Sequence, residues 1–286
     1  KVAGFCPGVQ VRSGFTQTVD IAKPLTLQGG YTATNWATTH PITQPTTLDA
    51  TGAGRVISAT ASLVVANLTV QNGVVANYGG GIRTNSALTL TGVTVYSNTA
   101  QIGGGLYAEG ATTYAAALTM TGAQFLTNTA SSGPGGGMMV FGRLTIADSQ
   151  FDGNHAEWGD GGGIYVTGPI TFTDVAFTNN SVAQSGASGG AVYANSGPAI
   201  NIIAALTNVT VTANTAVETA GGILLNGFGH TMIDSGHFEA NRCTSNMCTG
   251  GGLLLSDGSA TLSATQFISN EAGYQGGGLS TIDVIT

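Results

Sequence analysis

The sequence predicts an all-β protein: a single right-handed parallel β-helix, a solenoid of about ten turns with three short strands in each turn. Two repeated patterns, running in phase about every 28 residues, support this prediction. The composition agrees, because 45 of the 286 residues are Gly and only 7% are charged, against about 25% in a typical soluble domain. The predicted hand follows from the right-handed preference of crossovers between parallel strands.

Glycine-rich clusters form the first pattern. Each cluster is followed by an apolar residue, and the spacing falls within the 20–50 residues typical of solenoids. Gly marks points where the chain turns, because it tolerates left-handed backbone conformations. The clusters are GGGI at 79–82, GGGL at 103–106, GGGM at 135–138, GGGI at 161–164, GGAV at 189–192, AGGI at 220–223, GGGL at 250–253 and GGGL at 276–279.

An asparagine column forms the second pattern, in which Asn follows Phe or Val by three residues. If the turns stack at the β spacing of about 4.8 Å, these asparagines lie above one another and bond to neighbouring turns. An alternative is that they only form turns, and the two interpretations are compatible. The column predicts a structural ladder of Asn98, Asn128, Asn154, Asn180, Asn214, Asn241 and Asn270.

The residues between one cluster and the next alternate between apolar and polar, as strands do. In the repeat from Gly103 to Ala130, three short alternating stretches begin at Leu106, Leu118 and Ala123. Stretches rich in Val, Ile, Thr and aromatic residues favour strands, and none is long enough for the helix of a βαβ unit.

The paired glycine and Phe-x-x-Asn motifs resemble the repeats of the chlamydial polymorphic outer-membrane proteins, which are autotransporter passengers, and of large bacterial surface proteins. The resemblance covers roughly residues 70–281, with Val in place of Phe at Val95 and Val211. It implies a β-helix that acts in adhesion. We expect one continuous body over 1–286, with opening turns in 1–69 and repeats in 70–286, cut at both ends from a longer polypeptide.

Charge and hydropathy exclude several classes of function. Seven Lys and Arg in a chain of net charge −7 do not provide the basic surface that nucleic acids require. No apolar run approaches the roughly 18 residues of a membrane helix, and no motif indicates a cofactor.

The cysteines favour an oxidising, extracellular location. Cys243 and Cys248 flank a short polar stretch and predict a disulfide-closed loop, since no further zinc ligands lie near. Cys6 has no evident partner, and its mate is expected upstream of Lys1 unless it is free.

Clustered acids are the only trace of enzyme chemistry. Asp148, Asp152, His155, Glu157 and Asp160 form the densest polar patch. Its oxygen ligands make Asp152, Glu157 and Asp160 a weak calcium candidate, and the alternative is a solvated loop. No adjacent pair of Asp residues suits polysaccharide hydrolysis, so we name no catalytic residue and no metal.

Two outward columns suggest contact surfaces. Apolar residues in the first predict an exposed stripe for packing against another chain or a sugar, unless the chain's own loops cover it. In the second, pairs such as Thr119 and Thr121 resemble ice-binding solenoids, although Thr is also a common solvent-facing strand residue. The stripe consists of Tyr107, Met139, Tyr165, Tyr193, Leu224 and Leu254.

These observations predict a non-enzymatic structural or adhesive β-helix (a stalk, adhesin or fibre subunit) that is secreted or displayed on a bacterial cell surface. Its expected partners are other protein chains, packed laterally or end to end, or surface glycans. The alternative is a carbohydrate-binding or polysaccharide-degrading β-helix, and a minor alternative is an ice-binding solenoid.

Overall fold

The computed structural model describes residues 18–31, 37–43, 45–109, 116–197 and 202–285. These residues form an all-β parallel solenoid of about eight turns with no helix, which confirms the predicted fold class. The number of turns is close to the ten or so that the sequence predicts. Each strand pairs in parallel with the strands one turn before and after it. The right-handed coiling stays a prediction.

Three faces make up the main sheet of 23 strands. Face 1 follows the glycine clusters, face 2 comes next, and face 3 ends before the asparagine column. The face 1 strands are Val19–Ile21, Ile57–Ala59, Ile82–Thr84, Leu106–Ala108, Ile164–Thr167, Val192–Asn195, Ile223–Asn226 and Leu279–Ile285. The face 2 strands are Leu25–Gln28, Leu63–Ala66, Leu88–Thr91, Ala116–Thr121 and His230–Asp234. The face 3 strands are Thr47–Asp49, Thr69–Gln71, Thr94–Tyr96, Gln124–Leu126, His237–Glu239 and Gln266–Ile268.

Some turns run from one face to the next without a break in the strand. Met138–Asp152 passes through all three faces and pairs with separate strands of the preceding turn on each of them. Ile170–Thr178, Ile203–Thr212 and Leu253–Ser263 also continue across a corner, and Leu279–Ile285 runs from face 1 to the start of face 2.

A second sheet of six two-residue strands lies directly after the asparagine column. The sequence analysis predicted three strands in each turn, and this fourth ladder was not foreseen, because two residues are too few to show an alternating pattern. Its strands are Thr99–Ala100, Thr129–Ala130, His155–Ala156, Ser181–Val182, Thr215–Ala216 and Arg242–Cys243.

Like residues stack on like residues throughout the interior. The rings of Phe125, Phe151 and Phe177 are fully buried and lie parallel to one another, with centroids 5.0 and 5.1 Å apart. They belong to one apolar core that extends from Ile21 to Leu255. Burial of this core, rather than the short strands themselves, supplies most of the free energy that favours the folded chain.

The glycine clusters allow the two sheets to approach each other closely. Gly161 has a φ of +69°, a left-handed conformation that other residues adopt only with strain. At Gly162 a Cβ atom would collide with the carbonyl oxygens of Gly190 and Ser181, so the position has no room for a side chain. The glycine clusters therefore do more than allow the chain to turn: at Gly162, only a residue without a side chain fits.

Candidate functional site

The asparagine column is an unbroken ladder of buried side chains. Asn154 illustrates the pattern: its Nδ2 donates to the carbonyl oxygen of Phe125 at 2.8 Å and to Oδ1 of Asn180 at 2.9 Å. Its Oδ1 accepts from the backbone N and the Nδ2 of Asn128. Within the described residues, every buried side-chain nitrogen or oxygen has a partner. Such a saturated network avoids the cost of unpaired polar groups in the interior.

The ladder runs in one direction along the solenoid. Each amide group donates to the asparagine one turn further on, from Asn98 through to Asn270, and six of the seven side chains have no exposed surface. Asn270 is partly exposed. No side chain in this column is free to act on a ligand, so its role is structural.

A small second core lies on the outer side of the ladder, and it contains the disulfide between Cys243 and Cys248. Its other members are Ala130, Ala156, Val182, Ala187 and Ala216. Cys243 lies in register with Ala216, so the disulfide occupies a position that small residues hold in other turns. Cys6 lies outside the described residues.

The acidic patch is not one site. Asp148 is exposed at a corner, with a φ of +49°, and Asp152 accepts a hydrogen bond from Asn179 at 3.2 Å. His155 pairs with the Ser181 hydroxyl at 2.8 Å. No group of three His, Cys, Asp or Glu side chains within the described residues could hold a metal, so Asp152, Glu157 and Asp160 are not brought together for calcium.

Asp160 lies apart from the other acids, next to the outward column of face 1. Its Oδ1 accepts the Ser188 backbone N–H at 2.8 Å. Burial raises the pKa of the Asp160 carboxyl, and the bond from Ser188 acts in the opposite direction.

The outward stripe stacks in register as the sequence predicts, but most of it is covered. Tyr107 is paired with Met139 and Leu224 with Leu254, yet these four side chains are only 6%, 7%, 7% and 3% exposed. The prediction of a continuous exposed apolar stripe is therefore wrong at these positions. In one turn Ala220, the first residue of its glycine-rich cluster, packs against Leu224 and Leu254 and helps to cover them.

Tyr165 and Tyr193 are the partly exposed members of the stripe. Their rings are 5.1 Å apart and 3° from parallel, so each covers a face of the other, and both hydroxyls have hydrogen-bond partners in the chain, Thr167 for Tyr165 and Asn195 and Asn226 for Tyr193. Burial raises the pKa of both hydroxyls, and the Asp160 carboxylate raises them further. This geometry leaves little ring face for a sugar to stack on.

The threonine columns of face 2 are in register over part of the solenoid. Thr119 pairs with Thr89 and with Thr145, and Thr145 pairs with Thr171. Ala205 follows Thr171 and interrupts the column.

An arginine–aromatic cluster, formed by Arg55, Arg83, Tyr78, Tyr107 and Phe141, is a feature that the sequence analysis missed. The Tyr78 ring stacks on Tyr107 with centroids 4.7 Å apart, and Phe141 meets Tyr107 edge-on at 6.2 Å. The Arg83 guanidinium lies over the Tyr78 ring, 5.7 Å from its centroid. The sequence pattern places Arg83 next to Tyr107 in the outward column. It does not place Tyr78 and Arg55 there, because these two residues reach the cluster through contacts between turns.

Arg55 is held in place by acceptors that carry no charge. Its Nε donates to the carbonyl oxygen of Gly79 at 2.9 Å, and its Nη2 donates to Tyr78 O at 2.8 Å and Asn77 Oδ1 at 2.7 Å. Burial lowers the pKa of Arg55, and the positive charge of Arg83 lowers it further, while Asp20 acts in the opposite direction. Two cations are thus placed close together, and no carboxylate of the described residues forms an ion pair with either.

The fold and these surfaces define the protein as a parallel β-solenoid with a saturated internal asparagine ladder. Comparison with known proteins finds no match among family models, curated proteins or solved structures. Among the described residues, no helix could cross a membrane.

Proposed function

We propose that the protein is a non-enzymatic structural and adhesive β-helix of a bacterial cell surface, related to the polymorphic outer-membrane type of repeat protein. The asparagine ladder carries this proposal. It joins successive turns from Asn98 to Asn270 with buried hydrogen bonds, as a stalk or fibre subunit requires. Repeat proteins of this kind gain stability from each interface between neighbouring turns.

Two further observations support an extracellular structural role. The buried disulfide between Cys243 and Cys248 suits an oxidising compartment. The paired motifs of the sequence resemble those of surface-exposed repeat proteins, although no family model matches the chain. We therefore propose the cell surface as the location.

The enzyme alternative has less support from the geometry. The acids of the patch from Asp148 to Asp160 have separate partners, and Arg143 is the nearest cation to them in sequence. Acid–base cleavage of a polysaccharide needs two groups held close to one bond. Within the part of the chain that the structure describes, no three His, Cys, Asp or Glu side chains are brought together, so no larger acidic cluster supports such a reaction.

We propose lateral packing of chains through the partly exposed pair Tyr165 and Tyr193, because tyrosine is enriched at interfaces between proteins. Sedimentation velocity at rising concentration should show side-by-side oligomers of the wild-type protein. Tyr165→Asp should return them to single chains, because it places a charge in the contact. Thr171→Asp, which adds the same charge to an exposed position on face 2, is the matched control and should leave association unchanged.

A wild-type protein that stays monomeric at every concentration would contradict lateral packing. The same conclusion would follow if Tyr165→Asp associated as well as the wild type while keeping its β-sheet circular dichroism.

A further inference from the structure

We propose that the arginine–aromatic cluster binds the carboxylate-bearing sugar units of an acidic polysaccharide. The proposal gives the adhesive part of the proposed function a ligand class and rests on that function.

The charge of the cluster calls for an anion. The chain carries 14 acidic residues against seven Lys and Arg, yet Arg55 and Arg83 lie together. Within the part of the chain that the structure describes, the ion pairs are His237–Glu239 and Arg242–Glu271, so neither arginine is in one. Asp20 is near enough to act on Arg55, and Glu109 to act on Tyr107, but neither is ion-paired with an arginine, and a bound carboxylate would further reduce the repulsion between the two cations.

The two arginines differ in what they can offer a ligand. Arg55 uses Nε and Nη2 on its own backbone and on Asn77, which fixes its orientation. Arg83 makes no hydrogen bond among the described residues and is steadied by the Tyr78 ring alone. Its planar fork is therefore available for the two-point recognition of a carboxylate that guanidinium groups favour.

The rings beside the arginines suit the apolar side of a sugar. Phe141 is 36% exposed and meets the buried Tyr107 edge-on, so Tyr107 does not cover the Phe141 ring faces; Tyr78 is 37% exposed but is stacked on Tyr107 and positions Arg83. A uronic acid combines a carboxylate with a ring whose C–H groups pack on aromatic surface. Arg83, Tyr107 and Phe141 belong to successive turns of face 1, which places the cation and the Phe141 ring about 10 Å apart along the solenoid.

The size of the cluster favours a polysaccharide over a macromolecular surface. A stable protein interface buries about 800 Å² on each partner, far more than two half-exposed rings provide. A nucleic acid would need several more cations to neutralise its phosphates. A chain of acidic sugars can bind through one or two units at a time and gain strength from many copies of the protein.

The experiment is calorimetric titration of the intact protein with an oligogalacturonate and with its methyl ester, which keeps the sugar rings and removes their charge. We expect the acid form to bind and the ester to bind at least about tenfold more weakly, because the charge-assisted bonds to Arg83 are lost. Arg83→Gln should lower affinity for the acid form by about tenfold or more. Arg242→Gln removes the same charge from an exposed ion pair in a distant turn and should leave binding unchanged.

Phe141→Ala provides a second variant that keeps both arginines, and we expect it to weaken binding severalfold. Equal binding of acid and ester, or an Arg83→Gln variant that binds like the wild type, would overturn the proposal. Equal competition by sulfate ions at the same concentration would also overturn it, since that result indicates a general anion site. If chains still pack side by side in sedimentation while binding fails, only this inference is lost. New reducing or unsaturated ends on the oligogalacturonate would instead overturn the non-enzymatic function.

Discussion

The opening turns and the repeated turns of this solenoid are built by the same strand pairing but are stabilised by different side chains. From Asn98 onward, buried amides join each turn to the next. In the opening turns a surface network takes that role: Asp49 accepts hydrogen bonds from Gln71 Nε2 at 2.8 Å and from Asn72 Nδ2 at 3.0 Å. The side chains that repeat from turn to turn stabilise the solenoid. The side chains that differ between turns, such as those of the arginine–aromatic cluster, are the ones that can bind a ligand.

Gly73 marks the end of the asparagine ladder. Its backbone N donates to Asn98 Oδ1 at 2.8 Å, so it takes the place that an asparagine holds in later turns. A Cβ at Gly73 would collide with the carbonyl oxygen of Gly80, and the ladder therefore cannot extend into the opening turns. The arginine–aromatic cluster lies across this boundary, with Arg55 before it and Arg83 after it.

The largest expected effect is the loss of one asparagine from the ladder. Asn154→Ala leaves the N–H groups of Asn128 without an acceptor and the carbonyl oxygen of Phe125 without a donor. Leaving several buried groups unpaired should lower the free energy of unfolding by about 4 kcal/mol, measured by urea denaturation. In the opening turns, Gln71→Ala removes a partly exposed bond and should cost less than about 1 kcal/mol.

Asn179→Gly is the matched control for Asn154→Ala. Asn179 lies one residue before Asn180, is exposed, and has a φ of +54° that glycine adopts easily. We expect the free energy of unfolding of the Asn179→Gly variant to stay within about 0.5 kcal/mol of the wild-type value. Similar losses for Asn154→Ala and Gln71→Ala would mean that the two regions are not held differently.

A smaller effect is expected in alkaline solution from Tyr107, at the boundary between the two regions. Burial, with the nearby charge of Glu109, raises the pKa of Tyr107 from 10.0 to about 12. Below pH 10 the hydroxyl is neutral whether the chain is folded or not; between pH 10 and about 12 the unfolded chain loses the proton first. The free energy of unfolding should therefore fall over this range, and Tyr107→Phe should lose less than the wild type.

Tyr274→Phe, at a tyrosine that is 65% exposed, is the control and should follow the wild type. Parallel curves for the wild type and Tyr107→Phe between pH 10 and 12 would show that Tyr107 is not buried in the protonated form.

The repeat patterns were sufficient to predict the fold, because glycine and asparagine recur where backbone geometry demands them. Gly162 has no room for a side chain, and Asn154 has four partners that only an amide satisfies. Exposure was harder to predict. Leu254 lies in the outward column of its strand and is still only 3% exposed, because Ala220 and Leu224 pack against it.

The arginine–aromatic cluster could not be derived from periodicity. Arg55 and Tyr78 are 23 residues apart and meet through a side chain bonded to a backbone carbonyl, a contact that leaves no repeated mark in the sequence. A single isolated cation in an outward column, as at Arg83, was the only hint. Such a surface is built from residues that occur in one turn and not in the next. A search for repeated residues does not detect them.

Hydrogen exchange at the backbone amides of the ladder tests the central claim most directly. The N–H groups of Asn128, Asn154 and Asn180 each donate to the Oδ1 of the asparagine one turn further on, at 3.1, 3.1 and 2.9 Å. They should exchange only when the whole protein unfolds, as slowly as the amides of the central strands. Exchange at these positions at the rate of an unstructured chain would show that the side chains do not join the turns, and would contradict the account.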